Sequence, residues 1–278
     1  MADTYLVIPR APFSLSVAPV SDIVAKVTGQ TRLDVAHQLR RNRGLVAREL
    51  QKSQADRMVE ALRGAGTEAF ALAEADRVVF PEHVYMTAAR FGDDDLIAEL
   101  ADTDQKPIGP ARIPYDDVVL FTCGMVRFTK AKRTTRPVSN NVPDRNFQTW
   151  MPVGTLGVPL RGVSRYSHPP TNPVGNQKDH EDRHLLDLFA VEPAHHLRIE
   201  ADRFSFARTG LPMQPTRILN LIALIKAISA RCTEAFADPG IRYILDGNPR
   251  SNLRFQSIEQ YHAYLEWRVQ MLYHFGGE

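Results

Sequence analysis

One five-residue segment has the residue types and the spacing used by zinc-dependent hydrolases. His180, Glu181 and His184 form the pattern His-Glu-x-x-His. On a helix, this spacing places both imidazoles on one face, where they bind zinc while the glutamate acts as the general base. The residues between them include Asp182 and Arg183, and a buried zinc helix has to desolvate both charges, which costs several kcal/mol unless each is paired.

This segment has two interpretations. The alternative is a zinc-dependent hydrolase in which His180 and His184 bind the metal and Glu181 is the base. The interpretation that we favour is a polar lead into a strand, because the extended zinc motif would need a glycine and a histidine shortly downstream. It predicts no catalytic residue and no cofactor. The two interpretations differ in whether residues 179–188 form a helix or a strand.

Basic and aromatic side chains are concentrated in residues 128–180, a stretch rich in proline, asparagine and glycine. An insertion of this length in a compact domain is usually functional or disordered. Basic groups neutralise phosphates and aromatic rings stack on bases, so a nucleic-acid-associated factor is a second alternative, although no nucleic-acid-binding motif accompanies them. A protein partner is the favoured ligand. The candidate binding residues are Arg127, Lys130, Lys132, Arg133, Arg136, Arg145, Trp150, Arg161 and Arg165.

The composition is that of an ordinary globular protein. Hydrophobic residues make up 44% and charged residues 24% of the 278 residues, and the formal net charge is only +2, so the overall field attracts no particular partner. Cys123 and Cys232 form no Cys-x-x-Cys pair, which is typical of a reducing compartment. No basic leader precedes an apolar run, and no apolar segment approaches the ~20 residues that span a bilayer. We therefore expect a cytoplasmic protein without a transmembrane segment, and the oligomeric state stays open.

Residues 1–76 have the hydrophobic periodicity of a small α/β module. Apolar runs predict strands at 5–8, 45–47 and 67–73, and Pro9 ends the first of them. Helical spacing of apolar residues predicts two short helices separated by Gly29 and a third helix capped by Ser53. The predicted order is therefore β-α-α-β-α-β.

Several core and turn positions of this module match a known domain at equal spacing. They are Thr28-Gly29, Leu33, Ala36, Leu39, Ala55, Ala61-Leu62, Ala65-Gly66 and Glu68. With these residues, positions 4–74 resemble the C-terminal domain of the bacterial ribosomal stalk protein. The resemblance implies a fold and not an activity. In the stalk protein the turn after the Thr-Gly pair recruits translation GTPases, but here Arg32 and Asp34 replace a glycine and reverse a charge.

Residues 77–278 are predicted to form a second, β-rich module. Short β-branched and aromatic runs are separated by turn residues, an apolar helix follows at about 216–236, and a Ser-x-x-Gln capping box at Ser257 begins a last helix. The strands and the apolar helix, over about residues 78–236, resemble bacterial pleckstrin-homology-like domains. The resemblance implies an antiparallel β-barrel or sandwich closed by C-terminal helices, of a kind that binds peptides, lipids or proteins.

Together these features predict an α+β protein with two modules, 1–76 and 77–278, the second carrying the basic insertion. We expect a non-enzymatic binding or assembly protein with a protein partner. Enzymatic activity through the His-Glu-x-x-His segment and nucleic-acid binding through the insertion are the alternatives.

Overall fold

The computed structural model describes residues 4–79, 81–130, 179–191, 195–246 and 253–276. Met1–Phe128 and Glu181–Glu278 together form one compact unit. The predicted α+β class is confirmed, because this unit contains two sheets together with α-helices that pack on them. In the described ranges, none of the helices combines the length and the apolar character that crossing a bilayer requires.

The N-terminal part has the predicted β-α-α-β-α-β order. Its sheet has the strand order β2-β1-β3, and both pairings are antiparallel. Gly29 ends the first helix in a left-handed conformation that favours glycine, with φ of 75°. Gln51, and not Ser53, caps the third helix, through a capping box with Gln54. The elements are β1 Tyr5–Pro9, α1 Val17–Thr28, α2 Arg32–Arg41, β2 Ala47–Leu50, α3 Lys52–Gly64 and β3 Ala69–Ala73.

The remaining strands form one large sheet that is open and mixed. Its path runs β10-β7-β8-β9-β4-β5-β6, and β11 also pairs with β7. The predicted closure into an antiparallel barrel was wrong, since β10 and β6 end the path and β9 pairs with β4 in parallel. The strands are β4 Val84–Phe91, β5 Asp95–Ala101, β6 Pro107–Pro114, β7 Val118–Lys130, β8 Asp179–Ala190, β9 His195–Glu200, β10 Phe236–Ala237 and β11 Arg254–Phe255.

Three helices complete this part: α4 Arg217–Ser229, α5 Pro239–Leu245 and α6 Ile258–Phe275. The apolar helix predicted at 216–236 ends earlier, at Ser229. Phe236 belongs instead to β10, which extends the sheet beside β7. Phe206–Thr209 forms a 3-10 turn, and the rings of Phe204 and Phe206 pack edge to face with centroids 4.9 Å apart.

The large sheet lies between two apolar layers, and the alternation along β8 shows why. Leu186 and Leu188 face the cluster that contains α4 and α5, whereas Leu185 and Phe189 face α6. The α6 side of this core also includes Leu6, Ile8 and Leu72 of the N-terminal sheet. The two modules predicted from the sequence therefore share a hydrophobic core.

Helix α6 joins the N-terminal part to the large sheet. Trp267 donates its indole N–H to the Pro9 carbonyl at 2.7 Å, and Gln270 exchanges two hydrogen bonds with the backbone of Val78. Gly44 lies against the same helix with φ of 97°, where an added Cβ would come within 2.3 Å of the Trp267 Cβ. The close approach requires glycine at this position.

Candidate functional site

A buried polar cluster lies between the large sheet and α6, centred on Asp187 of β8. Asp187 is fully buried, and its Oδ1 is 2.8 Å from the Arg198 Nε and 2.6 Å from the His196 Nε2. Its Oδ2 accepts the Tyr261 hydroxyl at 2.7 Å. Because Asp187, His196 and Arg198 sit at alternate positions of neighbouring strands, they share the sheet face that α6 covers.

Ionic and hydrogen-bonding partners keep the buried carboxylate charged. Burial raises the pKa of Asp187, but the Arg198 charge and the hydrogen bonds from His196 and Tyr261 outweigh it and hold the pKa well below its usual range. A carboxylate accepts and does not donate, so the His196 Nε2 carries the proton of its bond. Burial lowers the pKa of Arg198, but the nearby Asp187 more than offsets this. Asp187 therefore joins β8 to β9 through Arg198 and to α6 through Tyr261.

The outer side of Arg198 contacts two further histidines. The Arg198 Nη1 lies 2.8 Å from the Nε2 of His262 in α6 and 3.3 Å from the Nε2 of His83, which directly precedes β4. A guanidinium has no acceptor atom, so both Nε2 atoms accept and both rings are neutral, with the proton on Nδ1. Burial, and then the Arg198 charge, lower the pKa of each histidine to about 4. Both imidazoles are therefore uncharged at neutral pH.

The three neighbouring imidazoles do not form a metal site. The ring centroids of His83 lie 5.5 Å from His196 and 5.8 Å from His262. The Nε2 atoms of His83 and His262 both point at the Arg198 guanidinium, whose positive charge repels a cation. In the described ranges of the chain, no group of three or more His, Cys, Asp or Glu side chains has an arrangement that holds a metal ion.

The His-Glu-x-x-His segment lies in strand β8, so the favoured prediction of a polar lead into a strand is confirmed. Four residues along a strand separate His180 from His184 by ~13 Å, whereas a helix brings such a pair to within ~6 Å. The strand therefore does not bring the two imidazoles together as a zinc site on a helix would. The hypothesis of a zinc site with Glu181 as the base gains no support from this geometry and stays a prediction from the sequence.

The charged residues inside this segment have structural partners. Asp182 forms ion pairs with Arg127, at 3.4 Å, and with Arg254. Arg183 pairs with Glu181 at 3.4 Å and with Glu200 at 3.3 Å. All three charged residues of the segment, Glu181, Asp182 and Arg183, thus take part in ion pairs.

Most of the residues predicted to bind a partner lie outside the described residues. Arg127 lies in β7 and also donates to the Gln256 Oε1 at 3.0 Å, and Lys130 is the last residue of that strand. Their role in binding stays a prediction, as it does for the seven that lie outside the described residues. Those seven are Lys132, Arg133, Arg136, Arg145, Trp150, Arg161 and Arg165.

An apolar groove of about 960 Å³ opens beside the polar cluster. Its walls come from the segment between β3 and β4, the start of β7, the end of β8, strand β10 and the C-terminal turns of α6. In the described part of the chain seven large hydrophobic side chains are exposed, and three of them line this groove. They are Val79, Val191 and Tyr273, with 80%, 57% and 73% of their surface exposed.

The groove and the polar cluster share a wall. Phe189 lines the groove, and its ring stacks on the His196 ring with centroids 4.3 Å apart and an interplanar angle of 15°. Charged side chains among the lining residues are few: Asp116, Glu234 and Arg242. The groove therefore offers an apolar surface with a small acidic excess.

No family model, curated protein or solved structure matches this chain. The resemblances to the ribosomal stalk domain and to pleckstrin-homology-like domains therefore stay predictions from the sequence.

Sequence reasoning missed both the polar cluster and the groove. Asp187 and Arg198 interrupt otherwise apolar strand sequences, which is a signal of a buried ion pair, since charged residues are rarely buried unless paired. The groove had no comparable signal, because Val79, Val191 and Tyr273 come from three distant segments.

Proposed function

We propose that this chain is a non-enzymatic binding protein that holds an apolar segment of a partner polypeptide in the groove. The observation that carries the proposal is the concentration of exposed Val79, Val191 and Tyr273 around one concave surface. Soluble proteins rarely leave adjoining large hydrophobic side chains in water unless the surface binds a partner. Covering them removes apolar area from water and so stabilises the complex.

The lining favours a polypeptide over a small metabolite. Small-molecule sites combine an apolar wall with a few converging polar groups that fix the ligand. Here the lining is mostly aliphatic and aromatic, and one wall is β10, which ends the path of the large sheet. Because Asp116 and Glu234 outnumber Arg242, a lysine or arginine beside the apolar segment complements the charge.

The polar cluster supports a binding role and not a catalytic one. Asp187, His196, Arg198 and Tyr261 are bonded mainly to one another, and all four are buried. Such a network orders the sheet and α6 around the groove. The two free, buried cysteines, Cys123 and Cys232, support placing the protein in a reducing compartment such as the cytoplasm.

Selection of peptides from a random display library tests the proposal, because it requires no identified partner. We expect peptides with two or more large apolar residues beside a lysine or arginine. Substitution Val191→Asp places a charge in the groove and is expected to weaken these peptides at least tenfold, since one buried apolar side chain contributes ~1.5–3 kcal/mol. Met213→Asp is the matched control, because Met213 is equally exposed, at 59%, and does not line the groove.

Two results contradict the groove as the binding surface. One is a selection that yields no peptide with measurable affinity. The other is a set of peptides that bind Val191→Asp and Met213→Asp equally well.

Nucleic-acid association through the basic insertion is a second candidate, favoured by the excess of lysine and arginine over residues 128–180. Binding of mixed RNA and DNA, measured by fluorescence anisotropy at low salt, tests it. Affinity that falls steeply with added salt supports the candidate, and no affinity at low salt removes it.

A further inference from the structure

Three separate elements meet at the Arg198 guanidinium through two histidines. His83 precedes β4, Arg198 lies in β9 and His262 lies in the first half of α6. We call these three side chains the clasp. It is closed by the 2.8 Å and 3.3 Å hydrogen bonds from the Arg198 Nη1 to the two Nε2 atoms.

The clasp is chemically incompatible with protonated histidine. An imidazolium has no lone pair to accept the Arg198 N–H, and it places a second positive charge within ~3 Å of the guanidinium. Asp187 is the buried anion of the cluster, and its oxygens already bind Arg198, His196 and Tyr261. The titratable groups that face the clasp are His196 of β9, Asp187 of β8, Tyr85 of β4, and Tyr261 and Glu259 of α6.

We propose that the clasp is an acid-sensitive latch: protonation of His83 and His262 frees the start of β4 and the first half of α6 from Arg198, and this loosens the groove. The link to the groove rests on the proposed function, whereas the latch itself does not.

The geometry connects the clasp to the groove by short paths. Pro81, two residues before His83, lines the groove. The start of β4 pairs with β9 at Val84 with Leu197 and Tyr85 with Arg198, and with β5 at Tyr85 with Ala101. Loss of the His83 bond therefore removes one of the contacts that hold this end of β4 beside β9.

The sign of the pH effect follows from the pKa of the two rings. In the closed clasp the pKa of each histidine is lowered to about 4, and in a loosened clasp it returns towards 6.5. The loosened form therefore binds more protons, and acid favours it as the pH falls from about 6.5 to 4. Screening at the partly exposed rings reduces the effect, so we expect the ratio of loosened to closed forms to rise about tenfold between pH 7 and 4.5.

Nuclear magnetic resonance of the imidazole nitrogens tests the latch directly. The closed clasp requires the Nδ1–H form of His83 and His262 at neutral pH and titration midpoints well below 6. Hydrogen exchange at the Val84 and Tyr85 amides is expected to accelerate about tenfold at pH 4.5, after correction for the intrinsic pH dependence of exchange. An Nε2–H form at neutral pH, or midpoints near 6.5, would overturn the proposal.

A paired substitution separates the latch from general acid denaturation. In His83→Gln/His262→Gln, the side-chain oxygens still accept from Arg198 but cannot be protonated, so amide exchange at Val84 should change less than twofold between pH 7 and 4.5. His37→Gln, at an exposed position of α2, is the control and keeps the wild-type response. Equal acid responses in the double variant and the wild type would contradict the latch, whether or not the variant is less stable.

Peptide binding in the groove provides a second test, and a failure of the proposed function can be told apart from a failure of the latch. A peptide selected on the wild-type protein at pH 7.5 is expected to bind about tenfold more weakly at pH 4.5, and the double variant to lose this difference. If no peptide is selected, the proposed function fails while the exchange and resonance data still decide the latch. If peptides bind but their affinity is independent of pH, the coupling of the latch to the groove is refuted.

Discussion

Replacing Asp187 with asparagine removes the charge at the centre of the polar cluster while keeping its shape. Three side chains, Arg198, His196 and Tyr261, donate hydrogen bonds to the carboxylate. A hydrogen bond to a charged group contributes ~1.5–3 kcal/mol and a neutral one ~0.5–1.5 kcal/mol, so the three bonds together lose ~3 kcal/mol. Arg198, only 1% exposed, also loses its counter-ion.

We therefore expect Asp187→Asn to lower the free energy of unfolding by ~3–5 kcal/mol, the cost of breaking a buried ion pair. This is a large share of the ~5–15 kcal/mol that stabilises a typical domain. Urea denaturation followed by circular dichroism measures the change. The control is Glu68→Gln, which removes an exposed ion pair with Arg10 and should cost less than ~1 kcal/mol.

A double-mutant cycle shows how much of the lost unfolding free energy comes from the interaction between Asp187 and Arg198. Arg198→Met alone also leaves a buried charge unpaired, whereas Asp187→Asn/Arg198→Met leaves none. The double variant should therefore lose at least ~2 kcal/mol less than the sum of the two single losses. Additive losses, or a loss below ~1 kcal/mol for Asp187→Asn, would refute the account of a coupled buried pair.

Two further predictions concern stability. Gly44→Ala should lower the thermal midpoint, because it combines a positive φ with a Cβ against Trp267. We expect it to lower the free energy of unfolding by at least ~2 kcal/mol. Gly64→Ala, where an added Cβ meets no atom within 4 Å, is the control and should be neutral or stabilising. Burial raises the pKa of Asp238 to about 6 from 3.8, so its contribution favours the folded protein at low pH and is lost as the pH rises through 6. Asp238→Asn should remove this dependence. Between pH 4.5 and 7.5 the unfolding free energy of the wild type should fall by ~2 kcal/mol relative to that of the variant, because each pH unit from 4.5 to about 6 costs ~1.4 kcal/mol. Parallel changes in the two proteins would contradict the assignment.

Local patterns in the sequence predicted elements well where neighbouring residues determine them. The glycine turn at Gly29 and the N-cap at Ser257 both lie where expected, because caps and turns depend on residues a few positions apart. The predicted capping box is only half formed, since the Gln260 Oε1 accepts from the Gln256 N–H and not from Ser257. That the large sheet stays open could not be predicted in the same way, since closure depends on which strands pair. Strand β9 pairs with β4 across more than 100 residues, and no short-range pattern specifies that choice.

The candidate sites also differ in whether neighbouring or distant residues determine them. The His-Glu-x-x-His spacing fits a zinc site on a helix, but the segment and the mostly apolar run that follows it, Leu185 to Ala190, lie in one strand. The groove combines Val79, Val191 and Tyr273, which are up to 194 positions apart, and each residue taken singly is an ordinary surface hydrophobe. Only their convergence carries functional information.

The position of α6 explains why the polar cluster and the groove occur together. The helix must cover an apolar sheet face, yet its His262 and Tyr261 reach buried charges on that face, so its docking depends on orientation as well as on hydrophobic contact. A purely apolar contact would tolerate sliding by a turn, whereas the bonds to Asp187 and Arg198 specify one register. That register places Leu272 and Tyr273 at the groove. The cluster thus sets the shape of the groove that we propose to bind a partner, and in the proposed latch a proton that disturbs the clasp disturbs that shape.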